Sequence, residues 1–293
     1  MGQDEGKVLI PSERVEEVVQ AVKDATTMPY FKLVIDEERV PGLTDTKLGG
    51  LPYWPSDLPY PETKRGVKLM LLAQLALEDF GGDDRLPDHG LLQFFIDSDD
   101  DCSGMDFDDE TNQNGFRVVW HEAVDPSVTI ADVEAIGAPT SLDQGLDYLG
   151  NPLYGAYALS LQKDLQWMTP ADDRFGEAFM RSARKVLGDA APQSPDDWYN
   201  SLSDDDGERV FDLTNLEGPF HQVLGYPFFT QTDPRYNGRT GEFDTLLLQV
   251  DSDGAPAHPH VMWGDVGIGN FFINSEALRR GDFSRVLFNW DCY

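Results

Sequence analysis

Cysteine is almost missing from this chain: Cys102 and Cys292 are the two in 293 residues. That excludes a disulfide-stapled scaffold and suits a reducing compartment. Basic residues are scarce as well, 22 Lys and Arg against 53 Asp and Glu, for a net charge of −31. Binding DNA or RNA requires Lys and Arg to displace counterions from phosphates, and the same field repels an anionic membrane, so neither is an expected partner. No apolar run approaches the roughly 20 residues of a membrane-spanning helix. The opening residues, MGQDEGKVLIPSE, hold no basic stretch followed by an apolar one. A secretory signal is therefore not expected in them, and the cytoplasm is the expected location. Catalytic signatures are missing too: there is no G-x-S-x-G, no H-E-x-x-H and no P-loop with its lysine.

What is present reads as a folded protein, with 40% hydrophobic and 11% aromatic residues. The surplus of Asp over Glu gives a strongly solvated surface, which speaks to solubility first and to a basic partner second. Val15, Val18, Val19 and Val22 form one apolar stripe at i, i+3, i+4 and i+7, predicting a helix from Ser12 to Ala25. A second helix is expected from Asp172 to Leu187, stopped by Gly188, and a third start at Ser194-Pro195-Asp196-Asp197. Ser203 to Gly207 reads as an acidic loop. Leu69–Leu75, Leu91–Ile96, Phe116–His121, Phe220–Phe229 and Thr245–Val250 read as strands, with more to the end of the chain. The expected class is α+β, a mostly mixed or antiparallel sheet with a few helices.

The strands echo one another. LGGLPYWP, LMLLAQL and HGLLQFFI recur in the same order as LGYPFF, TLLLQV and GIGNFFI. Pro52 and Pro227, and Gln74 and Gln249, both stand about 175 residues apart. We expect two structural repeats, approximately 30–125 and 210–293, separated by a helical insertion over 126–209, within a single domain spanning 1–293.

These segments, together with SGMDFDDETNQNGFRVVW and the tail DFSRVLFNWDCY, resemble the YwqG-like family of bacterial proteins of unknown function from about Lys47 to Tyr293. The resemblance implies a cytoplasmic α+β protein with structural repeats and no carried-over catalytic residues. Association of such domains with toxin systems suggests an immunity-like or partner-binding role.

The sharpest candidate site is DDDCSGMDFDDE. Asp99, Asp101, Ser103 and Glu110 fall at positions 1, 3, 5 and 12 of a calcium loop, with Gly104 at the sharp turn. Asp106 stands where an apolar residue is usual, and the flanking helices are missing. His258-Pro259-His260 with Asp265 could ligate a transition metal, although alternate residues of a strand face opposite ways. Gln74 and Gln249 lie inside apolar runs, where each amide must bond a turn backbone or a ligand. Trp54 and Trp263 are core or groove residues. Trp54, Gln74, Gln249, Trp263 and Asp265 are the ligand-binding candidates. No cofactor is expected, calcium apart. The leading expectation is a non-enzymatic protein-interaction module whose partner surface lies at the seam of the repeats. The alternatives are a calcium- or small-molecule-binding module and a hydrolase of unknown substrate, which a cleft holding a His beside an acid would favour.

Overall fold

A computed structural model describes residues 9–141, 151–191, 198–215, 220–255 and 257–293. The expected helix start at Ser194 to Asp197 lies outside them. The short apolar strands are buried along almost their whole length, Met70–Ala76, Leu91–Ile96, Thr245–Asp251 and Ile268–Ile273 above all, and they share one interior. The strands are β1 (Met28–Asp36), β2 (Lys47–Leu48), β3 (Met70–Ala76), β4 (Leu91–Ile96), β5 (Phe116–His121), β6 (Tyr157–Gln166), β7 (Gln222–Val223), β8 (Thr245–Asp251), β9 (Asp253–Ala255), β10 (His258–Val261), β11 (Ile268–Ile273) and β12 (Val286–Asp291). Ten of them form one sheet in the order β12-β11-β8-β7-β1-β6-β2-β3-β4-β5, and β9-β10 make a separate hairpin. Every ladder in the sheet is antiparallel.

This sheet curls into a nearly closed barrel, which corrects the expected α+β class. Phe94 of β4, Phe116 of β5, and Phe271 and Phe288 of β11 and β12 meet in the interior, with centroids 4.5 to 6.0 Å apart. Those strands lie toward opposite ends of the sheet order, so only curling brings their rings together. Short apolar runs reveal that both faces of a strand are buried, not whether helices or the sheet itself covers them. The gap between β5 and β12 is filled by the acidic segment after β4. Phe288 N donates to Glu110 O at 2.9 Å, and Trp290 Nε1 donates to Cys102 O at 2.7 Å. An edge strand left bare would invite pairing with another chain, and this segment covers it.

Five helices accompany the barrel among the described residues: α1 (Ser12–Thr26), α2 (Ile130–Ile136), α3 (Phe175–Leu187), α4 (Asp204–Thr214) and α5 (Ser275–Arg279). The valine stripe of α1 packs with Phe175, Phe179 and Val210 of α3 and α4 in a separate apolar cluster. The expected acidic loop over Ser203 to Gly207 is instead the first turn of α4. Ser203 Oγ accepts from Asp206 N at 3.2 Å, and three aspartates sit at the positive end of the helix. The expected strand over Phe220 to Phe229 shrinks to Gln222–Val223 because the chain turns at Leu224 and Gly225, both at positive φ. None of these helices is long and apolar enough to cross a membrane.

From the β1–β6 seam the sheet reads alike in both directions. One way it runs β6, β2, β3, β4, β5; the other way it runs β1, β7, β8, β11, β12. The first strand in sequence therefore sits with the later strands, and β6 sits with the early ones. Bonds match across the seam as well. Gln74 Oε1 accepts from Tyr53 N at 3.0 Å, and Gln249 Oε1 accepts from Phe228 N at 2.8 Å. Gln74 Nε2 donates to Asp45 O at 2.9 Å, and Gln249 Nε2 donates to Phe220 O at 2.8 Å. Outside the barrel, Trp54, Leu71 and Phe95 cluster as Phe229, Leu246 and Phe272 do.

Candidate functional site

The seam opens at one end into a cleft of about 570 Å³. Its wall is the loop between β1 and β2, where Pro41-Gly42 breaks the strand. Gly49 and Gly50 sit at φ +63° and +72°, and a Cβ on Gly49 would lie 2.5 Å from Gly155 O, so glycine lets this turn cross the entry to β6. Lys47 forms the floor. It is buried, and its Nζ donates to the carbonyls of Gly42, Leu43 and Leu51 at 2.8, 3.1 and 2.7 Å. Burial pulls its pKa down to about 8 against the opposing charge of Asp45. The three carbonyls engage every ammonium proton, so Lys47 ties the loop together and has no donor left for a ligand.

Arg39 is likewise committed, to Asp45 at 3.2 Å and to Leu159 O at 2.7 Å. The remaining walls are apolar, and two rim residues stand in solvent, Val40 at 89% exposed and Ile130 at 55%. Tyr157, Glu37 and His260 close the far end. The rings of Tyr157 and His260 lie 4.9 Å apart, and His260 Nε2 is 3.1 Å from Glu37 Oε1. Burial and then the Glu37 charge raise the pKa of the Tyr157 phenol.

A smaller cleft of about 330 Å³ adjoins, sharing Glu37 and His260 and adding His221, Asp251 and Asp253. His221 Nδ1 accepts from Asp251 N at 3.0 Å. Asp251 is pushed up to about 7, by burial first and by Asp253 beside it. Asp253 faces the His221 ring, with Oδ2 3.4 Å from His221 Nε2. At the other end of the seam lies a third cleft, about 390 Å³, lined by Gln166, Gln222 and Gln249 with Tyr226, Phe228 and Phe229.

The residues singled out from sequence scatter among these features. Gln249 lines the third cleft. Gln74 is sealed in the first half, where its Oε1 also accepts from Gln93 Nε2 at 2.8 Å, and Gln93 Oε1 meets His121 Nε2 at 2.9 Å. Burial lowers His121 to about 4, which leaves it neutral near pH 7. Trp54 packs on that ring with centroids 4.9 Å apart. Trp263 is 1% exposed in the barrel core, and Asp265 is exposed in the following turn, its carbonyl accepting from Tyr293 N at 3.2 Å.

The acidic segment is the strip along β12. Glu110 pairs with Arg239, Asp100 Oδ2 accepts from Gly104 N at 3.1 Å, and Ser103 and Gly104 take positive φ. Among the described residues, one group of three or more His, Cys, Asp or Glu brings its ligand atoms within 4.8 Å of one another: Asp100, Asp101 and Cys102. Asp99 and Glu110 are outside it, as are His258, His260 and Asp265.

Sequence reading missed Lys47, Glu37, His221, Asp251 and Asp253. Lys47 had left a signal, since KLGGLPYW aligns with QVLGYPFF and places Lys47 opposite Gln222. Of the others, His221 and Asp251 meet beside the β7–β8 pairing, while the β9–β10 hairpin adds Asp253 and sets His260 against Glu37 at the end of β1. No curated protein matches this chain. A family model described as "Domain of unknown function (DUF1963)" matches residues 46–292, and the chain belongs to that family.

Proposed function

We propose that this is a non-enzymatic module that binds a segment of a basic protein partner in the seam cleft, within a YwqG-like branch of the family and in the cytoplasm. The observation that carries it is the cleft's composition. Its walls are largely apolar apart from Asp36, Glu37 and His260; Val40 and Ile130 stand in solvent at its rim; and its two cations, buried Lys47 and exposed Arg39, already bond the protein's own backbone. Such a surface recognises by shape and apolar burial; the His260–Glu37 pair at its far end is the arrangement that would favour a hydrolase, but among the described residues no Ser, Thr or Cys lines the cleft beside it. Net charge of −31 steers a basic partner toward it.

The test is a panel of short peptides pairing leucine with lysine, followed by fluorescence anisotropy at low salt. Val40→Asp and Ile130→Asp should each weaken binding about tenfold, on the scale of one apolar anchor lost. Both residues are exposed, so the melting temperature should stay put. Peptide affinity indifferent to both substitutions would remove this reading.

A further inference from the structure

The smaller cleft beside the seam contains two ring nitrogens that are buried without a hydrogen-bond partner, Nε2 of His221 and Nδ1 of His260. Their chemistry is fixed by the other nitrogen of each ring. His221 Nδ1 accepts the Asp251 backbone N–H, so the neutral ring carries its proton on Nε2. That N–H lies 3.4 Å from Asp253 Oδ2, outside hydrogen-bonding geometry. His221 is 4% exposed and held in place. His260 Nε2 faces the Glu37 carboxylate, which keeps the proton there and leaves Nδ1 as a lone pair. The two histidines lining this cleft therefore hold an unused donor and an unused acceptor just beneath its surface, with the carboxylates of Glu37 and Asp253 alongside. Lys32, the cation in its wall, has its Nζ over the Phe220 ring at 3.6 Å.

A metal ion suits this set badly. His221 could ligate through Nε2 only by giving up the backbone bond at Nδ1, and His221, Asp253 and His260 do not bring their ligand atoms within 4.8 Å of one another. An arginine or lysine side chain would satisfy the acceptors and leave the His221 N–H unpaired. A free peptide amino terminus satisfies both. Its ammonium donates to His260 Nδ1 and the carboxylates, and the carbonyl of the same residue accepts from His221 Nε2. Because Glu37 and His260 also line the seam cleft, the first side chain of such a peptide has an apolar space next to it.

We propose that this cleft binds the free α-amino terminus of a peptide whose leading apolar side chain enters the seam cleft. This rests on the partner-binding reading and names the end of the partner that is held.

The experiment compares Leu-Ala-Lys-Ala-amide with its N-acetylated form by isothermal titration calorimetry on the full chain. Acetylation removes the charge and the ammonium donors while keeping the leucine. The free form should bind at least about tenfold tighter, the scale of one charge-assisted hydrogen bond. Glu37→Gln and Asp253→Asn should each weaken the free form several-fold and leave the acetylated form unchanged, while Val40→Asp should weaken both alike. Equal affinity for the two peptides overturns the amino-terminus site and leaves the seam cleft standing. Binding of neither up to millimolar concentration overturns both.

Discussion

The two sides of the seam place different chemistry on the same frame. Where one side has Lys47 holding three carbonyls, the other has Gln222, whose Nε2 donates to Leu224 O at 3.0 Å and Tyr226 O at 2.9 Å. Lys47 Nζ and Gln222 Nε2 both reach the carbonyl four residues on, at Leu51 and Tyr226. Where one side sets Tyr60 against Phe95 with centroids 5.8 Å apart, the other sets the buried Arg235 guanidinium 4.3 Å over Phe272. Turn geometry therefore needs only a buried donor aimed at carbonyls, and either an ammonium or an amide serves. The ionic version on the second side has a further use. Arg235 bonds Asp172 just ahead of α3 at 3.0 Å and Asp233 at 2.6 Å, which fastens the helical layer to the barrel. Among the described residues the first side has only α2, whose Ile136 packs on the Trp54 cluster, and it keeps an aromatic contact there.

The largest effect should come from breaking that fastening. Arg235→Leu leaves two buried carboxylates without their shared partner and should cost about 4 kcal/mol in urea unfolding. Tyr60→Leu should cost about 2 kcal/mol, since it loses ring packing and one bond to Leu69 O. Equal losses would mean that the ionic cluster adds nothing over the ring contact.

Gln74 and Gln249 form the next pair. Gln74 makes four hydrogen bonds and Gln249 two. Replacement by leucine should cost about 3 kcal/mol at Gln74 and about 2 kcal/mol at Gln249, because each leaves buried backbone groups unmet. A reversed order would show that the richer network is redundant.

Asp251 tests the asymmetry by pH, since Ala76 holds the matching end of β3. Its folded pKa of about 7 lies above the roughly 3.9 of an unfolded aspartate, so the folded state binds the proton more tightly. The resulting stability is full below about pH 4 and is lost as pH rises through 7. Asp251→Asn should flatten the melting curve across that window and stabilise the protein by about 2 kcal/mol at pH 8. A variant with the unchanged pH profile would remove Asp251 as the titrating group.

The smallest effect concerns calcium. Glu110, position 12 of the expected calcium loop, is paired with Arg239, and its carbonyl receives β12. Millimolar calcium should therefore raise the melting temperature no more than magnesium does. A calcium-specific rise abolished by Glu110→Gln would establish the ion site and make this edge of the barrel ligand-controlled.

Much of the local structure was legible because it depends on neighbours in sequence. The valine stripe placed α1, and the matched runs placed β3, β4, β8 and β11, since periodicity and β-propensity act over a few residues. Helix α4 was read as a loop because its aspartates looked like solvated charge, whereas Ser203 and the helix dipole turn them into a start signal. Gln74 and Gln249 were read as amides that must bond a turn backbone or a ligand, and both bond backbone groups. Sequence could not say that one would be sealed and the other would line a cleft.

By itself the sequence determined the strand segments, the buried donors at echoed positions and the excess of negative charge. These follow from side-chain size, polarity and spacing, which any conformation must respect. Only the tertiary structure decided that the sheet rolls into a barrel, that β1 and β6 exchange sides, and that the acidic segment seals the remaining edge. It alone gathered Glu37, His221, Asp253 and His260 around one cleft. Those outcomes depend on contacts between residues up to more than two hundred positions apart, where packing complementarity, and not local preference, selects the partner.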